Sequence, residues 1–352
     1  MIFHKKLISW YLQNKRSMPW RETKDPYKIW LSEIILQQTR VAQGLPYYLA
    51  FTEAFPTVFD LASADEDEVL KLWQGLGYYS RARNLHYTAK IVSEELKGKF
   101  PVDYKGLLKL KGVGDYTASA IASICYNEPT PVVDGNVYRV LSRFYGVATP
   151  INSTKGIKEF KELAKQVMDT EKPALYNQAI MEFGAIQCKP KNPDCHACPI
   201  QDGCEAYRSS KVFELPVKEK KLKVKKRYFN YLVFIHKGQT LIEKRTKKGI
   251  WFNLYEFPLI ETSKLIGEYK LERQLIDDNI ISEVDEVTLY NPEPFIHKLS
   301  HQHLYTNFYI VQAEDIQQYN VNDRLLINYR QIKDYPVPVL IDNFIASFFN
   351  RN

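Results

Sequence analysis

No apolar run in the sequence approaches the roughly 20 residues that a helix needs to cross a bilayer, so a membrane-spanning protein is not expected. The first stretch, MIFHKKLISWYLQNKRSMPW, scatters charge through its apolar positions and lacks the hydrophobic segment of a secretory signal. No internal repeat is evident. Cysteine is scarce, with 5 in 352 residues, and Cys188, Cys195, Cys198 and Cys204 crowd together while Cys125 stands alone on an apolar helical pattern. A disulfide framework is therefore excluded, and a cytoplasmic, reducing environment is expected, in which a tight group of cysteines ligates metal. Cys125 reads as a small buried hydrophobe.

At 352 residues the chain is long for one hydrophobic core, and two domains are expected. A formal charge of +7 favours a polyanionic partner. Residues 1–204 read as predominantly helical, with blocks at 29–41, 67–73, 81–96, 106–110, 116–125, 136–144, 155–168 and 175–183 between Gly, Pro and Asn breaks. Residues 205–227 are dense in lysine and read first as a solvated basic linker, compatible with lying along phosphates. From Tyr228 the pattern turns β-like. Runs at 228–236 and 239–245 flank Lys237-Gly238 as in a hairpin, 304–310 alternates as a half-buried strand, and 339–349 reads as a short helix. Residues 228–352 are thus α+β and long enough to fold alone.

Three constellations carry chemistry. The first is Lys111-Gly112-Val113-Gly114, a tight break between a short amphipathic run and a helix whose Ala118, Ile121, Ala122 and Cys125 share a face. Free N–H groups at such a helix start suit a phosphate, so the helix–hairpin–helix is a candidate grip on a nucleic-acid backbone. The second is Cys188-x6-Cys195-x2-Cys198-x5-Cys204. Four thiolates hold either tetrahedral zinc or an iron–sulfur cubane; zinc sites usually pair two Cys-x2-Cys knuckles, and this loop has one, which favours a [4Fe–4S] cluster. The third is a pair of carboxylates. Glu33 sits in an apolar helical stretch that favours a raised pKa, on one face with Gln37 and Arg40, and Asp134 stands where an N-cap belongs, among N–H groups that favour its ionised form. A neutral Glu beside an ionised Asp is a pairing used to break glycosidic bonds.

Assembled, Pro19-Trp20-Arg21, Leu31-Ser-Glu-Ile-Ile-Leu-Gln-Gln-Thr39, Gly75-Leu-Gly-Tyr-Tyr-Ser-Arg81, Gly112-Val-Gly114, Val133-Asp-Gly-Asn-Val137 and the cysteine spacing resemble, in order and over nearly the whole length, the MutY-type adenine DNA glycosylases of the helix-hairpin-helix superfamily. The resemblance implies a multidomain protein. Residues 1–204 would form an all-α helix-hairpin-helix glycosylase domain with a [4Fe–4S] cluster loop, 205–227 a basic interdomain linker, and 228–352 an α+β Nudix-like domain. It implies a monomer, nucleoid-associated when on DNA, that flips adenine out of duplex DNA opposite 8-oxoguanine or guanine and hydrolyses its N-glycosidic bond. Glu33 would protonate adenine and handle the water, Asp134 would stabilise or transiently attack the sugar cation, and Tyr116 and Asn136 would complete the site. Trp20, Arg21 and Leu36 would line the adenine pocket, Gln38 and Tyr78 would wedge near the lesion, and Gly112 and Gly114 would form the DNA-gripping hairpin. Glycosylase/lyases such as endonuclease III have a Schiff-base lysine where Tyr116 stands, so a monofunctional enzyme is implied.

The C-terminal part resembles the family's Nudix-like lesion-reading domain and has no magnesium-binding Nudix box, so nucleotide hydrolysis is not expected there. Leu299-Ser300-His301 matches the loop that inspects the lesion, with Ser300 and His301 as polar readers. Two departures stand out: Leu299 where the family commonly has Phe, and Lys111 where the hairpin usually has Pro. Two other readings remain at this stage: a related glycosylase for another base, and a catalytically silent DNA binder with a zinc staple.

Overall fold

The computed structural model describes residues 3–219, 224–278, 280–282, 285–321 and 323–349. Its N-terminal part is built of helices: α1 (Phe3–Asn14), α2 (Pro26–Leu36), α3 (Val41–Ala54), α4 (Val58–Ser63), α5 (Glu66–Leu72), α6 (Ser80–Glu94), α7 (Tyr104–Leu107), α8 (Asp115–Tyr126), α9 (Gly135–Tyr145), α10 (Thr154–Val167), α11 (Pro173–Ile186) and α12 (Glu205–Arg208). None of the described helices is long and apolar enough to cross a membrane. Two compact units result, one formed by Met1–Ser63 with Arg83–Lys220 and the other by Ala64–Ala82 with Lys221–Asn352. Residues 64–82, embedded in the helical part of the sequence, thus group with the second unit.

In the first unit α11 packs against α1, α8 and α9, and α2 packs against α8 and α3. α11 can hold that position because Tyr176, Ala179, Ile180 and Phe183 recur at helical spacing and are all buried. α2 starts where Asp25 accepts from the Tyr27 N–H, with Pro26 in the first turn, where its missing N–H is no loss.

α2 ends earlier than its apolar stripe suggests. Gln38 takes a left-handed φ of 56°, and α3 begins only at Val41. The expected helix over 29–41 is corrected to one ending at Leu36, and Arg40, the residue before α3, does not share a face with Glu33 and Gln37. Periodicity joined two helices across a turn that contains neither Gly nor Pro to mark it.

The expected solvated linker is also corrected in its first half. Ala206, Val212 and Leu215 are buried together, with Cys195, Cys204, Tyr207 and Val217 against them. Asn152 closes a reciprocal pair of hydrogen bonds with the Glu219 backbone, at 3.0 and 2.9 Å. Positions 220–223 of that stretch lie outside the described residues.

In the second unit β1 (Lys225–Ile235) is central. It pairs antiparallel with β4 (Leu259–Thr262) and parallel with β7 (Gln302–Gln312). β7 in turn holds β5 (Glu286–Leu289) and β6 (Phe295–Lys298), while β2 (Gln239–Lys244) lies between β3 (Tyr255–Glu256) and β8 (Arg324–Asn328) in a separate sheet. Lys237 and Gly238 turn the chain at φ of 44° and 81°, but only a single bridge, His236 to Gln239, joins the two arms. The expected hairpin is therefore a corner between two sheets: β1 runs with β4 and β7, whereas β2 leaves the turn to pair with β3 and β8. Helix α13 (Glu268–Asp277) packs on β5, and α14 (Val339–Phe348) stacks Phe344 on Phe308 with ring centroids 4.0 Å apart.

Candidate active site

Glu33 lies mid-way along α2 among Ile29, Trp30, Leu31, Ile34 and Ile35, all buried, and packing of α2 on α8 leaves it 9% exposed. A carboxyl deprived of water prefers its neutral form. Burial accordingly pushes the Glu33 carboxyl up to about 7, against a hydrogen bond from Tyr116 and the Arg21 charge, which lower it, and with the Asp134 charge, which raises it. Burial likewise holds the Tyr116 hydroxyl far above the usual phenol range, so it serves as a neutral donor; its oxygen also lies 3.2 Å from Met181 Sδ. Gln37, one turn beyond Glu33, donates to Thr117 Oγ1 at 3.1 Å.

Asp134 caps α9. Its Oδ1 accepts from the Asn136 and Val137 N–H groups at 2.9 and 2.8 Å, and its Oδ2 accepts from Asn136 Nδ2 at 2.8 Å. Burial raises its pKa above the usual carboxyl range while these three donors oppose the rise. The cap's preference for the ionised form, expected from sequence, therefore works against a desolvation cost that sequence did not show.

Arg139, one turn into α9, donates to Asn136 Oδ1 (2.8 Å), Gly135 O (3.1 Å), Gly184 O (2.5 Å) and Cys188 O (2.7 Å). Gly184 permits this approach, since a Cβ there would sit 2.7 Å from Asn136 Cβ and 2.9 Å from its carbonyl oxygen.

Trp20 is buried, edge-on to Tyr48 at 5.0 Å. Arg21 donates to Glu182 Oε2 at 2.8 Å, and Arg16 grips the same carboxylate with two bonds of 2.7 Å. Burial would raise Glu182, yet the hydrogen bonds from Arg16 and Arg21 outweigh it and hold it at about 2. Leu36 is half-buried at the end of α2, and Gln38 is exposed.

At the hairpin, Gly112 alone uses a left-handed φ, 81°, and a Cβ there would meet Asn84 Cβ at 2.8 Å. Gly114 caps α8 from extended backbone. Asp115, in the first turn of α8, accepts from Lys161 and Tyr104. Lys111 stands 4.2 Å from the centre of the Tyr87 ring, a cation–π contact.

Cys188, Cys195, Cys198 and Cys204 line one cavity with Val140, Phe183, Ile200 and Val212. Arg143 donates to Cys188 Sγ at 3.4 Å and to Lys189 O at 2.8 Å. Burial pushes the Cys198 thiol up to about 12 and raises Cys195 and Cys204, and each neighbouring thiolate would raise them further. Three thiols so raised deprotonate together only around a strongly cationic centre, and with Cys188 on the same cavity the donor set fits an iron–sulfur cluster. Cys125 is half-buried, not fully buried as expected, and burial pushes its thiol up to about 12.

In the second unit Tyr78 Oη lies 2.7 Å from Ser300 Oγ, with Tyr78 47% exposed. Ser300 and His301 are both exposed, and the His301 carbonyl accepts from Lys225 N–H at 3.1 Å.

Sequence reasoning missed Arg139, Arg143 and the Arg16–Glu182–Arg21 cluster. Glu182 carried a signal: a carboxylate between Ile180 and Phe183 on a helix of buried residues needs partners. Arg139 carried none, because its partners are backbone carbonyls brought in by α11.

Residues 31–166 match the HhH-GPD superfamily of base excision DNA repair proteins, 188–204 match the iron-sulfur binding domain of endonuclease III, and 230–347 match a NUDIX domain. Fold, hairpin and cysteine loop together define a base excision repair protein of the helix-hairpin-helix superfamily with a [4Fe–4S] cofactor. An adenine DNA glycosylase of Buchnera aphidicola subsp. Schizaphis graminum is 35% identical over 85% of this chain and 84% of its own length, and one from subsp. Baizongia pistaciae is 34% identical over 96% and 95%. The chain belongs to the adenine DNA glycosylase family. A solved thermostable thymine-DNA glycosylase superposes with a TM-score of 0.55 at 29% identity, covering 59% of this chain and 95% of its own.

Proposed function

We propose that this protein removes adenine from duplex DNA opposite 8-oxoguanine or guanine by hydrolysing the N-glycosidic bond, leaving an abasic site. The observation that carries this reading is Glu33: a buried carboxyl at about 7 that holds a proton near neutral pH, beside an Asp134 carboxylate fixed by three donors. Protonating the departing base at N7 makes it a neutral leaving group, and a carboxylate opposite stabilises the sugar cation that forms. Glu33, then ionised, takes a proton from the attacking water. Asn136 fixes Asp134 through its amide, and Tyr116 fixes Glu33. Arg21, tied to Glu182, adds positive charge that eases the return of Glu33 to its ionised form.

With tyrosine in place of an amine at position 116, no Schiff base forms with the sugar, and strand cleavage is not part of the reaction. Cys188, Cys195, Cys198 and Cys204 would hold the cluster, which would supply a rigid electrostatic centre for the loop they line.

The test is single-turnover excision from a duplex with one adenine opposite 8-oxoguanine, with and without alkali. Strand cleavage that appears only after alkali, and is lost in Glu33→Gln while DNA binding persists, is expected. Excision by Glu33→Gln at the normal rate would overturn the role of Glu33. Cleavage without alkali would overturn that of Tyr116, and excision of a pyrimidine instead of adenine would overturn the substrate.

A further inference from the structure

Helix α5 and the loop after it are fastened to the second unit at two places. At its N-terminal turn, Asp67 Oδ1 accepts from Lys244 Nζ at 2.6 Å, Asp67 Oδ2 accepts from Tyr255 Oη at 3.0 Å, and Glu66 accepts from Asn253 Nδ2 at 2.5 Å. Beyond its C-terminus, Gln74 Oε1 accepts from the Val337 N–H at 3.2 Å and from Lys71 Nζ at 3.1 Å, and Tyr79 Oη donates to Val337 O at 3.3 Å.

Next comes a loop in which Gly75, Gly77 and Tyr78 have φ of 90°, 75° and 49°. It has no ladder of its own; Trp73 Nε1 and Arg81 Nη2 hold it through Gly77 O at 3.0 and 3.1 Å. A left-handed tyrosine persists only where its surroundings over-determine it. The side chain so placed is the one whose hydroxyl meets Ser300 Oγ.

We infer that Asp67 and Gln74 are positioning residues for specificity: by pinning both ends of α5 to the strands and to Val337, they hold Tyr78 against Ser300, and recognition of the base opposite adenine depends on them. The inference rests on the reading of Tyr78 and Ser300 as the pair that inspects that base. Neither residue takes part in bond breaking, so excision opposite guanine should be indifferent to them.

The experiment measures single-turnover excision by the full chain on two duplexes, adenine opposite 8-oxoguanine and adenine opposite guanine, and takes the ratio of rates as discrimination. Tyr78→Phe alone should lower the ratio. Asp67→Ala and Gln74→Ala should each lower it about five- to tenfold, the equivalent of one hydrogen bond, and leave the guanine-duplex rate unchanged. Adding Tyr78→Phe to either should produce little further loss, because the contact is already broken, and Asp67→Glu should restore most of the ratio. If Tyr78→Phe lowers the ratio while Asp67→Ala and Gln74→Ala keep the native one, the positioning role is overturned and the inspecting pair stands. If Tyr78→Phe itself leaves the ratio unchanged, the reading of the pair fails and takes the inference with it. Equal slowing on both duplexes, or fully additive losses, would mark a merely structural role and also overturn it. Should Gln74→Ala fail to fold, Asp67→Ala decides, since the Asp67 side chain is 37% exposed and its loss opens no core.

Discussion

Asn136 and Arg139 join the Asp134 cap to the cysteine loop. The Asn136 amide donates to Asp134 Oδ2 and accepts from Arg139 Nη2, each at 2.8 Å, and Arg139 Nε donates to the Cys188 carbonyl at 2.7 Å. One guanidinium thus spans the last step between a candidate cluster ligand and a candidate catalytic carboxylate. Arg139→Gln is expected to slow excision at saturating enzyme by about tenfold or more, the cost of losing hydrogen bonds from a charged donor, and to reduce iron retention. Single-turnover kinetics with iron assay check it; a variant with native rate and native iron would contradict the link.

Glu33 should trade stability for function in a pH-dependent way. Its carboxyl titrates at 4.5 when unfolded and at about 7 in the fold. The folded state therefore binds the proton more tightly, and the stability this contributes is complete below 4.5 and is lost as pH rises through 7. Above that point the native protein buries a carboxylate and Glu33→Gln does not. The variant should be more stable at pH 8 by about 3 kcal/mol, with the advantage gone near pH 4.5. Denaturant melts at both pH values measure this, and a pH-independent difference would contradict it.

The same proton sets the activity profile. Excision under single-turnover conditions should fall with rising pH above about 7, approaching tenfold per pH unit, as the acid form of Glu33 disappears. A rate flat from pH 6 to 9 would mean that Glu33 does not donate the proton in the limiting step.

Cys198→Ser should lose the cluster, and with it the packing of Ala206, Val212 and Leu215 against Cys195 and Cys204. The expected signs are loss of absorbance near 400 nm and new proteolytic cleavage within residues 205–217. Native iron content would contradict the assignment of Cys198 as a ligand.

Much of the architecture was legible because it is written in short-range spacing. Helical periods mark α8 and α9, and four cysteines in one short loop allow little besides metal ligation. Alternation located β7 but not its burial: the strand expected to be half-buried has Thr306, Asn307, Phe308, Tyr309 and Ile310 all buried, because neighbours cover both of its faces. The failures share a cause, which is that spacing carries no information about direction of travel. Ile34, Ile35 and Val41 keep a helical period across the turn at Gln38, and the runs either side of Lys237-Gly238 look paired although β1 and β2 enter different sheets.

The sequence by itself determined which side chains were available: a glutamate in an apolar helix, an aspartate before a helix start, a tyrosine after a glycine turn, a set of four clustered thiols. Only the tertiary structure decided what each became. Packing of α2 on α8 removes water from Glu33 and so moves its pKa, an effect that depends on the neighbours of a group and not on its place in the chain. Packing of α5 on the strands of the second unit assigns Tyr78 to a body that its position in the sequence would not suggest, because the hydrogen bonds that hold it come from residues 244, 255 and 337.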